Sequence, residues 1–207
     1  MDQSVLDALQ RWPDVPAAYG WLSLSARGEW RLHPLGDAQQ GGPGVGISNP
    51  QILGFMGRNY ASEPDGAWFF QNGPQRVYVR LDAAPYILHL RPECGQLVSH
   101  NGREVQEVKE WFTDENGQLY AQTNIGGIRL DDRDLIALSE MLTATDGTSF
   151  LDVLECVDQT ILAARRVFDA TGHFMALANP VALTRILHKD IPARLGFIRQ
   201  PSAATIS

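Results

Sequence analysis

The sequence predicts an α+β fold, rich in antiparallel sheet and built as two packed halves with a few short helices. Three observations predict it. Short runs of alternating apolar and polar side chains are separated by turn dipeptides, among them Arg27-Gly28, Asn72-Gly73, Asn101-Gly102 and Asn116-Gly117; such punctuation joins neighbouring strands into hairpins. Helical periodicity surfaces only in brief stretches. Finally, Arg91-Pro92-Glu93 interrupts the chain near its middle, which sets the expected halves at 1–92 and 93–207.

The elements follow in order. Val5, Leu6, Leu9 and Trp12 share one face of a helix from Ser4 that Pro13 ends. Leu22 and Leu24 alternate with Trp21, Ser23 and Ser25, and a turn at Arg27-Gly28 returns the chain through Glu29 to His33 as a hairpin. Pro34 to Ser48 is a long glycine-rich loop. Ser48-Asn49-Pro50 caps a helix to Tyr60 with Ile52, Phe55, Met56 and Tyr60 on its apolar face. Trp68 to Gln71 and Gln75 to Asp82 form a second hairpin, with Val77, Val79 and Leu81 on one side and Arg76, Tyr78 and Arg80 on the other. Tyr86 to Leu90 continues as strand.

The second half opens with strands at Gly95 to His100 and Arg103 to Phe112 around Asn101-Gly102. Strands follow at Gln118 to Thr123 and Gly127 to Leu130. Asp131-Asp132 caps a helix to Leu142 with Leu135, Ile136, Leu138 and Leu142 inward. Phe150 to Val157 and Thr160 to Phe168 fit strand or helix equally, and Asp169 to Gly172 is a turn. Asn179-Pro180 starts a final helix carrying Val181, Leu183, Ile186 and Leu187; Ile191-Pro192 ends it, and the tail from Pro201 is expected to be disordered.

Composition narrows the function classes. The 207 residues are 44% hydrophobic and 20% charged, enough for a packed core. The net charge is −7, a field that repels phosphate backbones and anionic lipid, so no nucleic acid is expected as a partner. The charge is uneven: residues from 160 onward carry +4 and the first 159 carry −11. Cys94 and Cys156 make neither a disulfide framework nor a zinc pattern. The acidic, amphipathic start MDQSVLDALQRW does not resemble a signal peptide, and no apolar run reaches the ~18 residues of a membrane span. A cytoplasmic protein without membrane contact is expected.

GEWRL (28–32), FMGRNYASEPDGAWFFQNGPQRVYVRLDAAPYIL (55–88) and IGGIRLDDRDL (125–135) resemble an uncharacterised proteobacterial family of about 200 residues, known only as a domain of unknown function. The N-terminal order is also similar to a second uncharacterised bacterial family, with a Gly-x-Trp hairpin, a helix, an Asp-Gly turn and a Val-x-Val…Ala-Pro strand. The likeness covers residues 19 to 135. It implies a sheet-rich α+β fold and transfers no activity, cofactor or catalytic residue.

The remaining motifs read as architecture. GGPGVGISNP lacks the third glycine of a dinucleotide loop and the Lys-Ser/Thr of a P-loop, which leaves a surface loop rather than a phosphate nest. His89, Cys94 and His100 lack metal-ligand spacing, so neither a metal nor another cofactor is expected. Asp131, Asp132 and Asp134 suit a helix start better than acid–base work. No nucleophile motif is present.

What remains is the face bearing Arg58, Tyr60, Arg76, Tyr78 and Arg80, where guanidinium forks and tyrosine rings suit a carboxylate or phosphate. The leading expectation is a noncatalytic binding or interaction module that takes a small anionic ligand or a protein partner there. The alternatives are an enzyme of unknown reaction, with hydrolysis as the first choice, that uses carboxylates and histidines in a cleft between the halves and is tested by changing Asp132 or His100, and a homodimeric scaffold joined at a sheet edge.

Overall fold

The structure, a computed structural model, describes residues 1–91, 96–156, 158–164 and 180–203. They form an α+β protein with two sheets, and the chain divides into two compact units, Met1–Pro85 with Gly196–Ser207, and Tyr86–Leu195. Among the described residues no helix is long and apolar enough to cross a membrane.

In the first unit, α1 (Gln3–Arg11) buries Val5 of its expected face, while Leu6 and Trp12 stay largely exposed. β1 (Ala18–Leu24) and β2 (Trp30–Leu32) form the first hairpin, pairing Leu22 with Leu32 and Leu24 with Trp30. The glycine-rich loop contributes a short 3-10 turn and β3 (Val45–Gly46), which adds to β2. α2 (Pro50–Arg58) starts where Asn49 Oδ1 accepts from the backbone N–H groups of Gln51 and Ile52 at 2.9 and 3.3 Å, with Pro50 where its missing N–H costs nothing.

β4 (Tyr60–Ser62), β5 (Trp68–Asn72) and β6 (Gln75–Leu81) complete a sheet ordered β3-β2-β1-β6-β5-β4. Its two hairpins meet through a parallel pair, β1 with β6. Hairpins alone cannot make that pairing. The chain from β2 to β6 supplies the crossover, with α2 on the way. The segment from Gly196 returns to this unit. Leu81 N donates to Arg199 O, Ile198 N donates to Gly66 O, and Ile198 packs on the Ala67, Phe69 and Tyr78 cluster. Pro201 is buried and its carbonyl accepts from Gln39 Nε2, so the expected disorder does not begin there.

The second unit holds β7 (Tyr86–Arg91), β8 (Gln96–Ser99), β9 (Val108–Thr113), β10 (Leu119–Thr123) and β11 (Gly126–Leu130). α3 (Leu135–Ser139), β12 (Leu142–Ala144), α4 (Phe150–Cys156), β13 (Gln159–Ala164), β14 (Val181–Arg185) and α5 (Ile191–Leu195) follow. The sheet order is β12-β13-β14-β9-β10-β11-β7-β8, with parallel pairs at β7/β11 and β9/β14. Trp111, Phe112, Tyr120, Tyr86 and Ile128 fill its core.

Four expectations are corrected here. The final helix expected from Pro180 is a strand: Val181 and Leu183 alternate inward, and β14 sits between β9 and β13, so two-sided sheet pairing overrides the helical spacing. Pro192 lies in the first turn of α5 instead of ending a helix. The helix expected to reach Leu142 stops at Ser139 with Ile136 exposed, because Leu142 joins β12 and pairs with β13. The partner of β8 is also shorter than expected. Only the bridge Val98–Glu104 pairs after the Asn101-Gly102 turn, and β9 begins at Val108 beside β10 and β14. Of the two ambiguous stretches, the first is helix α4, capped by Ser149 Oγ, which accepts from the Asp152 backbone N–H at 3.2 Å and donates to the Asp152 carboxylate at 2.7 Å, and the second begins as strand β13. The turn at 169–172 lies outside the described residues.

Candidate functional site

The sheet of the first unit has two faces of different chemistry. On one face, Ala18 pairs with Val77, Val77 with Phe70, and Leu22 with Leu32, so four strands line up apolar side chains. Phe55 of α2 meets this face edge-on at Phe70, with ring centroids 5.7 Å apart, and Ile52 and Met56 line the space beside it. Where the helix leaves the sheet uncovered, a groove of about 810 Å³ opens, within the roughly 300–1,000 Å³ typical of small-molecule sites. Trp21, Leu32 and Ile52 are about half exposed along it. Its polar side chains are the carboxamides of Gln51, Asn72 and Gln75, and none of its lining residues is charged.

An irregularity in β1 shapes one wall. Ala18 pairs with Val77, yet Leu22 pairs with Val79, so the strand carries extra residues between two positions only two apart on β6. Gly20 takes a φ of 81° inside this bulge. A bulge turns side chains away from strict alternation, and both Trp21 and Leu22 line the groove.

The structure distributes the sequence-predicted binding residues among other tasks. Arg58 ends α2 and grips Asp2 through Nε and Nη2 at 3.0 and 3.1 Å, which holds that carboxyl below its ordinary pKa. Tyr60 is buried on the apolar face; its hydroxyl donates to Pro85 O at 3.0 Å, and its ring meets Trp30 edge-on at 5.1 Å. Arg76 and Tyr78 do converge, on Glu63: Arg76 forms an ion pair with it and lies over the Phe69 ring, and the Tyr78 hydroxyl donates to it at 3.2 Å. Tyr78 also stacks on Tyr19 with centroids 4.7 Å apart, and burial raises its hydroxyl pKa. Arg80 bonds Asp82 at 2.9 Å and donates to Ala38 O. Arg76, Tyr78 and Arg80 thus share the face opposite the groove, while Arg58 and Tyr60 lie apart from them.

Sequence reading missed a polar relay on that opposite face. Ser23 Oγ lies 2.8 Å from His33 Nε2, and His33 Nδ1 lies 3.3 Å from Asp37 Oδ1. The carboxylate can only accept, so Nδ1–H donates to it, and in the neutral imidazole Nε2 then accepts the serine hydroxyl. The signal was a serine inside an apolar strand and a His-x-x-x-Asp spacing after the next one. The trio has the order of a nucleophile relay, but Ser23 and His33 have no exposed surface, so no substrate reaches the hydroxyl. Its evident work is to mould the glycine-rich loop. A Cβ at Gly44 would come within 2.8 Å of the His33 ring, and Arg31 Nη1 donates to Pro43 O at 3.2 Å. Ile47, which follows β3, then reaches the groove. Ser23→Ala is expected to lower stability by about 1–2 kcal/mol, the cost of stranding a buried imidazole acceptor, with denaturant titration as the check.

In the second unit, Asp131 Oδ1 accepts from the Arg133 backbone N–H while its carboxylate binds the guanidinium at 2.9 and 2.7 Å, holding its pKa at about 2. Asp132 pairs with Arg129 at 2.7 Å, and Asp134 sits 3.3 Å from His89 Nδ1. His100 Nε2 is buried. Among the described residues no three metal-ligating side chains gather; Cys94 lies outside them.

The chain belongs to the DUF2944 family, whose model, described as "Protein of unknown function (DUF2946)", matches residues 1–202. No curated protein matches. Among solved structures, the chain is similar to a DUF1285 family protein from Silicibacter pomeroyi DSS-3, with 14% identity over 63% of this chain and 73% of that one and a TM-score of 0.45. It is also similar to a DUF1285 family protein from Shewanella baltica OS155, with 12% identity over 58% of this chain and 91% of that one and a TM-score of 0.41.

Proposed function

We propose that this member of a family without an assigned activity is a noncatalytic binding module, and that its first unit holds a small, largely apolar molecule in the groove beside α2. The observation that carries this reading is the groove itself: about 810 Å³ of space, apolar walls from four strands and a helix, and three carboxamides. Sites for small molecules combine these features, a concave apolar lining with a few fixed polar groups. Exposed tryptophan, leucine and isoleucine side chains in one continuous patch cost solubility, and a ligand that covers them offsets that cost. A cytoplasmic setting fits the two widely spaced cysteines.

The test uses the neutral dye N-phenyl-1-naphthylamine, which fluoresces in apolar surroundings. Binding to the full chain is expected, and Leu32→Asp and Ile52→Asp should each weaken it at least about tenfold, because a carboxylate in the groove would have to be desolvated. Both side chains are about half exposed, so the substitutions leave the core intact. Equal dye affinity in the parent and both variants would remove the groove as the site.

A further inference from the structure

We infer that the groove's ligand is an uncharged amphiphile, an apolar body with a neutral head that both donates and accepts hydrogen bonds, such as an amide or an alcohol. This rests on the proposed binding role of the groove and adds the class of molecule. Two observations carry it.

The first is where the charges are. Every cationic side chain of the β6 ribbon points away from the groove, because Val77 faces it and strand alternation sends Arg76 and Arg80 to the other side. Arg31 alternates away in the same manner, between Trp30 and Leu32 on β2, and its guanidinium bonds Glu29 at 3.1 Å. Arg58 is held by Asp2. A carboxylate or phosphate head seated among the lining residues would meet no cation, and an ammonium head would meet no carboxylate. Either ion would surrender its hydration without replacement.

The second is the polar end. Asn72 and Gln75 are direct cross-strand partners at the β5–β6 turn, two residues beyond the Phe70–Val77 pair on the same face. Their carboxamides therefore stand side by side at one end of the apolar row, and Gln51 joins the lining from the first turn of α2. Carboxamides present both N–H donors and a carbonyl acceptor and carry no charge. A head that donates and accepts matches them; a purely accepting anion or a purely donating cation uses half of what they offer.

The test is a matched series of one chain length, octanamide, 1-octanol, octanoate and octylammonium, competing with N-phenyl-1-naphthylamine on the full chain at pH 7.5. The amide and alcohol are expected to displace the dye at concentrations at least about tenfold lower than the two ions. Asn72→Leu, at an exposed position, is expected to lower the affinity of octanamide relative to that of the dye severalfold. If octanoate or octylammonium competes as well as octanamide, or if no member displaces a dye that the Leu32→Asp variant fails to bind, the ligand class is overturned and the groove reading stands. If the dye binds the parent and the Asp variants alike, both fall.

Discussion

Acidifying the protein from pH 7 to pH 4 is expected to lower its stability by roughly 3 kcal/mol through His100 alone. The imidazole turns its Nε2 away from solvent in the second unit, and desolvation, aided by the nearby His89 charge, pulls its pKa from 6.5 to about 3. The sign follows from proton counting. The folded state stays neutral down to about pH 3, while the unfolded chain takes up the proton near 6.5. The unfolded state therefore binds more protons throughout that window. His100 imposes no penalty above it, and stability falls by about 1.4 kcal/mol per pH unit as pH drops through it.

The local geometry agrees. His100 Nδ1 accepts from the Ile87 backbone N–H at 3.3 Å, while the His100 backbone N–H donates to Ile87 O at 2.7 Å. A second ring proton on Nδ1 would face a donor inside the sheet. Denaturant midpoints of the parent and His100→Gln between pH 7 and pH 4 check this. The variant's fixed cost appears at every pH, so the slope is the readout. The Gln variant should lose that 1.4 kcal/mol per unit of acid sensitivity; identical slopes would show that His100 is not the group that titrates. Asp131, with its pKa lowered to about 2 by Arg133, acts in a separate window, contributing above the unfolded carboxylate value and fading as pH falls toward 2.

The β6 ribbon shows how much of this fold was legible from side-chain order. Alternation placed Val77, Val79 and Leu81 on one side and Arg76, Tyr78 and Arg80 on the other, and the structure agrees residue by residue. The Asn49-Pro50 helix start was legible for an equally local reason, a cap and a proline acting within one turn. What could not be read depends on distant partners. The Val181–Arg185 stretch has helical spacing and becomes a strand only because β9 and β13 flank it. The parallel pairing of β1 with β6 and the return of residues 196–203 to the first unit are likewise set by contacts far apart in sequence.

The site was less legible than the fold. Charge and aromatic content drew attention to the arginine face, whose groups bind one another: Glu63 takes Arg76 and Tyr78, and Asp82 takes Arg80. The groove is made of Leu32, Phe55, Phe70 and Val77, ordinary core residues in sequence. Only the partial coverage of one sheet face by a nine-residue helix leaves them lining a groove. The Ser23–His33–Asp37 relay was hidden for a related reason, since its members sit on β1, just past β2 and in the loop beyond, and only the hairpin brings them together.

Gly20→Ala is expected to cost about 3 kcal/mol or more and to weaken dye binding, because one backbone position serves both fold and groove. Two penalties act together. At a φ of 81° an L-side chain meets its own backbone, a cost of about 1–2 kcal/mol. The new Cβ would also sit 2.4 Å from Gly36 O and 3.2 Å from Gly36 C. The obstacle is backbone, with no rotamer to yield, so β1 or the turn after β2 must shift. That turn is held by Gly36 N donating to His33 O, and His33 N donates to Trp21 O; displacement therefore passes straight to Trp21, which lines the groove. Gly41 is the control, since it has the same φ of 81° with nothing within 4 Å of its would-be Cβ. Gly41→Ala should show the dihedral cost alone, about 1–2 kcal/mol, and unchanged dye affinity. Denaturant titrations of the two variants separate strain from collision. If both lose the same stability and bind the dye equally well, the close approach of Gly20 to Gly36 is not what shapes this wall.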